Sequence, residues 1–146
     1  MESVGYLLKT AQQRLHRAID VTLRDLGIST SQYAVLTFLD ESPGLSSAQL
    51  ARCAFVTPQT MHRVVASLEA ARLIERGPHP ELGRVLEATL TPRGRQTLAE
   101  CHRRVQEVEE RMLADLKPAE RRQLADLLQC CTRGLGSHRK RPSAKS

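Results

Sequence analysis

Two capped helix starts lying only a few residues apart constrain this chain more than any other feature. The first is Ser46-Ser47-Ala48-Gln49, an S-x-x-Q pattern in which Ser46 and Gln49 can satisfy each other's unpaired backbone donors, with Leu45 and Leu50 spaced as a hydrophobic staple. The second is Thr57-Pro58, where threonine suits the N-cap, proline suits the first helical position, and Val56 with Met61 repeats the staple. Along that second helix Met61, Val64, Val65 and Leu68 share one face at 3.6-residue periodicity and are expected to pack inward. The opposite face then carries Gln59, Arg63, Ala66 and Ala70, flanked by Thr60, His62 and Ser67. It is polar at its N-terminal end and small further along.

After Leu73 and Ile74 the period changes. Residues 76–84 contain Gly77, Pro78, Pro80 and Gly83 and cannot continue a helix, so they read as a turn-rich loop. Extended candidates at residues 73–76 and 85–90 flank it and predict a hairpin with a basic tip. Helix, short turn, helix and hairpin is the order of a winged helix-turn-helix. The expected fold is therefore mainly α with a small β-hairpin wing, and the expected function is DNA binding. A helix with this outward face can place its first two turns in a major groove about 12 Å wide without bulky obstruction.

Helices flank this reader on both sides. Over residues 4–26, Leu8, Leu15, Ile19, Leu23 and Leu26 recur at helical spacing until Gly27 ends the run, and Ser29-Thr30-Ser31-Gln32 offers caps for a helix carrying Tyr33, Leu36 and Leu39. Beyond the hairpin, Thr91-Pro92 starts a helix with Leu98, Cys101, Val105, Val108 and Met112 on one face. Pro118 opens a last helix with a stripe of Leu124, Leu127, Leu128, Cys131 and Leu135. The terminal helices are apolar on one side and need each other or a second copy of the chain, and a homodimer meets that need. Two-fold symmetry then predicts a pseudo-palindromic site with half-sites roughly 34 Å apart on double-stranded DNA. The expected division is a helical dimerisation region at 1–28 and 91–135, a winged helix-turn-helix DNA-binding region at 29–90, and a basic, disordered tail at 136–146.

Charge is distributed in keeping with this division. The net charge of +6 breaks down as −1 over residues 1–44, +3 over 45–95, zero over 96–135 and +4 from Gly136 onward. Basic excess is confined to the reader and the tail, which favours a polyanionic partner at one face. No apolar run reaches membrane-spanning length and residues 1–10 lack a signal-peptide layout, so a soluble, cytoplasmic protein without a membrane partner is expected. Cys53, Cys101, Cys130 and Cys131 show no C-x-x-C spacing and are read as reduced. Cys101 and Cys131, on apolar stripes, are expected in packed interiors, whereas Cys53 in the first reader helix is the candidate for a redox role. His102 beside Cys101 lacks a second ligand pair, so no metal site is assigned. The chain has no G-x-S-x-G, Walker loop or H-E-x-x-H, so neither catalytic residues nor a cofactor are expected.

The wording of the residues resembles the MarR family of bacterial transcriptional regulators over residues 5–135. The resemblance rests on Leu26-Gly27-Ile28-Ser29 leading into Gln32-Tyr33-Ala34-Val35-Leu36, and on Leu50-Ala51. It continues through Val64-Val65-Ala66-Ser67-Leu68-Glu69, Leu73-Ile74-Glu75-Arg76 and Leu90-Thr91-Pro92-Arg93-Gly94. The resemblance implies an obligate dimer joined through terminal helices, a recognition helix beginning near Thr57, and a wing arginine, here Arg84, entering the minor groove. Family wings commonly hold an Asp close before that arginine, whereas this chain offers Glu81 three residues away. It further implies a repressor relieved by a small aromatic or phenolic effector bound between the dimerisation helices and the reader, for which His16, Tyr33, Phe38 and His102 are the candidate pocket residues.

At the reading face Arg63 and Gln59 suit base edges, since guanidinium pairs guanine and carboxamide pairs adenine at two points. Thr60 and His62 flank them. Thr57 and Ser46, at helix N-termini, suit phosphate, as do Arg76 and His79 on the wing, while Arg84 beside Gly83 suits a narrow minor groove. Two alternatives remain at this stage: a winged-helix protein–protein adaptor and a thiol-based redox-sensing repressor. An adaptor surface would more often expose an apolar or aromatic anchor.

Overall fold

The computed structural model describes residues 2–78 and 86–136. Six helices and two strands run in the order α1 (Val4–Arg24), α2 (Thr30–Glu41), α3 (Ser47–Ala54), α4 (Pro58–Ala70), β1 (Ile74–Pro78), β2 (Leu86–Leu90), α5 (Pro92–Met112) and α6 (Pro118–Gly136). The chain divides into two compact units, Met1–Glu109 and Glu110–Ser146.

The core of the first unit is built from the apolar faces that the periodicity marks. Val35, Leu36 and Leu39 of α2 meet Leu50 and Ala51 of α3 and Met61, Val65 and Leu68 of α4, with Leu23 of α1 and Leu98, Cys101 and Val105 of α5 in the same buried cluster. Each fully buried leucine contributes about 1.5–3 kcal/mol relative to exposure. The helix α1 stops at Arg24, two residues before the expected end, and the chain turns at Gly27, whose φ of +68° is a left-handed conformation that glycine adopts without steric cost.

The hairpin is antiparallel, with Ile74 opposite Leu90 and Pro78 opposite Leu86. Leu45, just before α3, forms a bridge to Ala88 on the other side of β2, through Ala88 N–H donating to the Leu45 carbonyl at 3.0 Å and Gly44 N–H to the Ala88 carbonyl at 3.1 Å. This differs from expectation at the first strand. Leu73 belongs to the turn after α4, since its N–H donates to the Leu68 carbonyl at 3.0 Å, and pairing continues beyond the expected end at Arg76 through Gly77 and Pro78, two residues of the expected loop. Proline is tolerated there because β1 is an edge strand whose outward side needs no donor. Val85 and the loop residues 79–84 lie outside the described residues.

The start of α5 is fixed by close approach. Thr91 donates its N–H to the Leu73 carbonyl at 3.1 Å and its hydroxyl to the Arg72 carbonyl at 2.7 Å, and accepts from Gly94 N–H at 2.9 Å. A Cβ at Gly94 would lie 2.0 Å from the Leu73 carbonyl oxygen. Further along α5, Arg103 and Arg104 bracket Glu100 and lower its carboxyl to about 2, a surface cluster at the helix's outer side.

In the second unit Glu120 accepts from the Lys117 N–H at 2.7 Å at the start of α6, and Arg121 pairs with Glu110 at 2.8 Å. No residue of α6 is buried. The expectation that Cys131 packs inside therefore fails for the single chain: Cys131, Cys130 and Cys53 are exposed, and only Cys101 is buried. The physical reason is that the α6 stripe, with Leu127 54% exposed and Leu135 84% exposed, faces solvent in an isolated protomer. Among the described residues no helix is long and apolar enough to cross a membrane. Residues 137–146 of the expected tail fall outside the description.

Candidate nucleic-acid interface

Local chemistry fixes both reader helices. Ser46 accepts from Gln49 N–H at 3.2 Å while the Gln49 carboxamide accepts from Ser46 N–H at 2.8 Å, completing the capping box at α3. Thr57 caps α4 by accepting from Thr60 N–H at 3.2 Å, and its own hydroxyl donates to the Thr60 hydroxyl at 2.9 Å. Between the helices sits Phe55, the C-cap of α3, left-handed at φ +53° and 96% exposed.

With Met61, Val65 and Leu68 buried, the register of α4 is set, and Gln59, Thr60, His62, Arg63, Ala66 and Ala70 are all exposed. Ser46 is half-buried at its cap and Thr57 is exposed. Thus the structure brings the expected base-edge candidates onto one free face. Arg76 has a partner within the protomer: its Nε is paired with the Glu69 carboxylate in the last turn of α4, which ties the hairpin to that helix. His79 and Arg84, the other wing candidates, lie outside the described residues, as does Glu81.

Of the pocket candidates, Tyr33 on α2 and His102 on α5 come together. The phenol oxygen and imidazole Nδ1 are 2.7 Å apart and share a hydrogen bond whose direction follows the histidine tautomer; the rings meet edge to face at 5.4 Å and 77°. Burial pushes the Tyr33 phenol above its usual range, so it keeps its proton near neutrality. Phe38 is half-buried and packs against the core, while His16 is exposed and, with Thr10, Gln13 and Arg17, lines an open cleft of about 650 Å³ on α1 instead of joining the pair. Among the described residues no group of three or more His, Cys, Asp or Glu could hold a metal ion.

Two links escape sequence reasoning. Gln32 on α2 donates through Nε2 to the Ser67 hydroxyl of α4 at 2.9 Å, across 35 residues of sequence, and Glu69 pairs with Arg76 across the α4–β1 turn. Ser67 is visible in the sequence only as a flank of the outward face. No local pattern encodes its partner.

Two capped helices at a tight turn, followed by an antiparallel hairpin whose far edge is stitched back to the first of them, define a winged helix-turn-helix protein. The sequence pattern of the MarR family matches residues 26–84. The HTH-type transcriptional repressor Rv2887 of Mycobacterium tuberculosis is 38% identical over 126 residues, which cover 86% of this chain and 91% of the relative. A crystal structure of Rv2887 in complex with DNA matches with a TM-score of 0.78 at 35% identity, covering 94% of this chain and 100% of that one. One in complex with salicylic acid matches at 0.76 and 37% identity, covering 90% and 97%. The chain belongs to the MarR family.

Proposed function

We propose that this protein is a homodimeric, sequence-specific DNA-binding repressor whose hold on its operator is relieved by a small phenolic or aromatic acid. The observation that carries the reading is the face of α4: Gln59, Thr60, His62 and Arg63 stand free on the first two turns of a helix whose other side is core. A relative solved both with DNA and with salicylic acid supports the same reading.

In this assignment residues 29–90 read DNA, 1–28 and 91–135 dimerise, and 136–146 add sequence-independent charge. Gln59 and Arg63 contact base edges, Thr60 and His62 adjoin them, and Thr57 and Ser46 hold phosphate. Arg84 and His79 act from the wing, and Arg76 braces it through Glu69. The Tyr33–His102 pair is the effector site, since a phenol already occupies the imidazole there and an incoming hydroxybenzoate offers the same group. The protein works in the cytoplasm, without catalysis, cofactor or metal. An adaptor role is disfavoured because the recognition face is polar.

Fluorescence anisotropy with DNA from the chain's own upstream region, with and without salicylate, tests the assignment. Gln59→Ala and Arg63→Ala should each relax base preference by ~1–3 kcal/mol per lost two-point contact, and Arg84→Ala should weaken binding and flatten its salt dependence. Full discrimination in both α4 variants would show that another face reads the DNA.

A further inference from the structure

Three side chains in the first turn of α2 reach three different helices. The Thr30 hydroxyl donates to Asp20 of α1 at 3.2 Å, the Gln32 carboxamide donates to Ser67 of α4 at 2.9 Å, and the Tyr33 phenol meets His102 of α5 at 2.7 Å. Neither end of Gln32 is free to wander. Its Oε1 accepts from Ser29 N–H at 2.8 Å, completing the cap of α2, so its Nε2 is aimed at α4 by the same geometry that starts the helix. Ser67 in turn donates its proton to the Val64 carbonyl at 2.7 Å, which leaves an oxygen lone pair as the acceptor for Gln32. The direction of each bond from Ser29 through Gln32 and Ser67 to Val64 is therefore assigned. Tyr33 is held as firmly: its N–H donates to the Ser29 carbonyl at 2.9 Å and its carbonyl accepts from the Thr37 hydroxyl at 2.9 Å.

We propose that Gln32 and Ser67 are positioning residues for the recognition helix, and that the neighbouring Tyr33–His102 bond sets where they hold it. This rests on the DNA-binding reading of α4. Gln32 and Tyr33 are consecutive, so they leave α2 about 100° apart and a displacement of one turn of backbone moves both. Ser67 lies eight residues beyond Gln59, or roughly 12 Å along α4, so the link grips the rear of the helix while the front reads bases. A group that competes for His102 would release Tyr33, shift the first turn of α2 and change the purchase of Gln32 on Ser67. Two backbone-adjacent side chains thus join the effector site to the reading face without any element between them.

The test uses the full chain and Tyr33→Phe, which keeps the ring and removes only the bond to His102. Amide hydrogen exchange of α4 should quicken threefold or more in Tyr33→Phe while α3 is unchanged, although Tyr33 has no hydrogen bond to α4. Ser67→Ala should quicken the same amides, Ser67→Thr should restore them, and the Tyr33→Phe/Ser67→Ala pair should do no more than the larger single change, the non-additivity of residues sharing one path. On DNA, the preference for operator over random sequence should fall threefold or more in Tyr33→Phe and in Ser67→Ala, with Ser67→Thr retaining it. Unchanged α4 exchange in Tyr33→Phe, or fully additive effects in the pair, overturns the coupling. If the wild type ignores operator DNA at low salt, the DNA reading fails instead, and the exchange data still decide whether α2 links the two bonds.

Discussion

Phe55 carries a bulky side chain in a left-handed backbone conformation, and because the ring is 96% exposed, no packing within the protomer offsets the strain. A non-glycine residue in that region costs about 1–2 kcal/mol. Phe55→Gly should therefore raise stability by ~1 kcal/mol in urea titration, whereas Phe55→Ala, which keeps a Cβ, should not; a loss of stability in Phe55→Gly would mean that the ring is covered. Gly94 is the reverse case. Its missing Cβ makes room for the Leu73 carbonyl, and Gly94→Ala should lower stability by ~3 kcal/mol in thermal unfolding despite the better helix propensity of alanine. The two residues also mark what sequence can say at this scale. Gly94 is legible only as part of a family wording, and the crowding that demands it arises from Leu73, in the turn before β1 and twenty-one residues upstream. Thr57 and Ser46, by contrast, are legible because a cap is satisfied within three residues.

Elements follow the same division between local and distant causes. The starts of α2, α3 and α4 and the inward face of α4 are readable because capping and periodicity are properties of contiguous residues. The sequence puts the first strand too early because glycine and proline mark turns in general, and only pairing with residues 86–90 reveals that Gly77 and Pro78 continue the ladder. The joining of Tyr33 to His102 spans 69 residues, so the sequence offers the two as candidates without showing that they touch. The same holds for Arg76. Its place in the wing is local information, but its pairing is decided by Glu69, which lies on the far side of the α4–β1 turn.

At the scale of the whole molecule, the two ends of the chain leave apolar surface uncovered. Val4, Tyr6, Leu7 and Leu8 on α1 and Leu124, Leu127, Leu128 and Leu135 on α6 are exposed in the protomer. Each leucine buried in a dimer contributes up to about 1.5–3 kcal/mol, ample for association from a handful of them. Leu127→Glu places a charge on that stripe without removing any contact inside the protomer core. Sedimentation should then show a monomer, and operator affinity should drop at least tenfold; a dimer of unchanged stability would put the seam elsewhere. The periodic stripes make the need for a second copy legible in the sequence, whereas the expectation that Cys131 is packed inside fails because an apolar stripe says nothing of what covers it, and no residue of α6 is buried in the protomer.

The bridge from Leu45 to Ala88 has a consequence beyond DNA. It occupies the outer side of β2, so that strand has neighbours on both flanks, and the side of the hairpin left open belongs to β1, which ends in a proline and carries Arg76. An edge so furnished is a poor template for a strand from another molecule. Concentrated, a protein of this design should resist fibre formation through its wing even though its sheet has only two full strands.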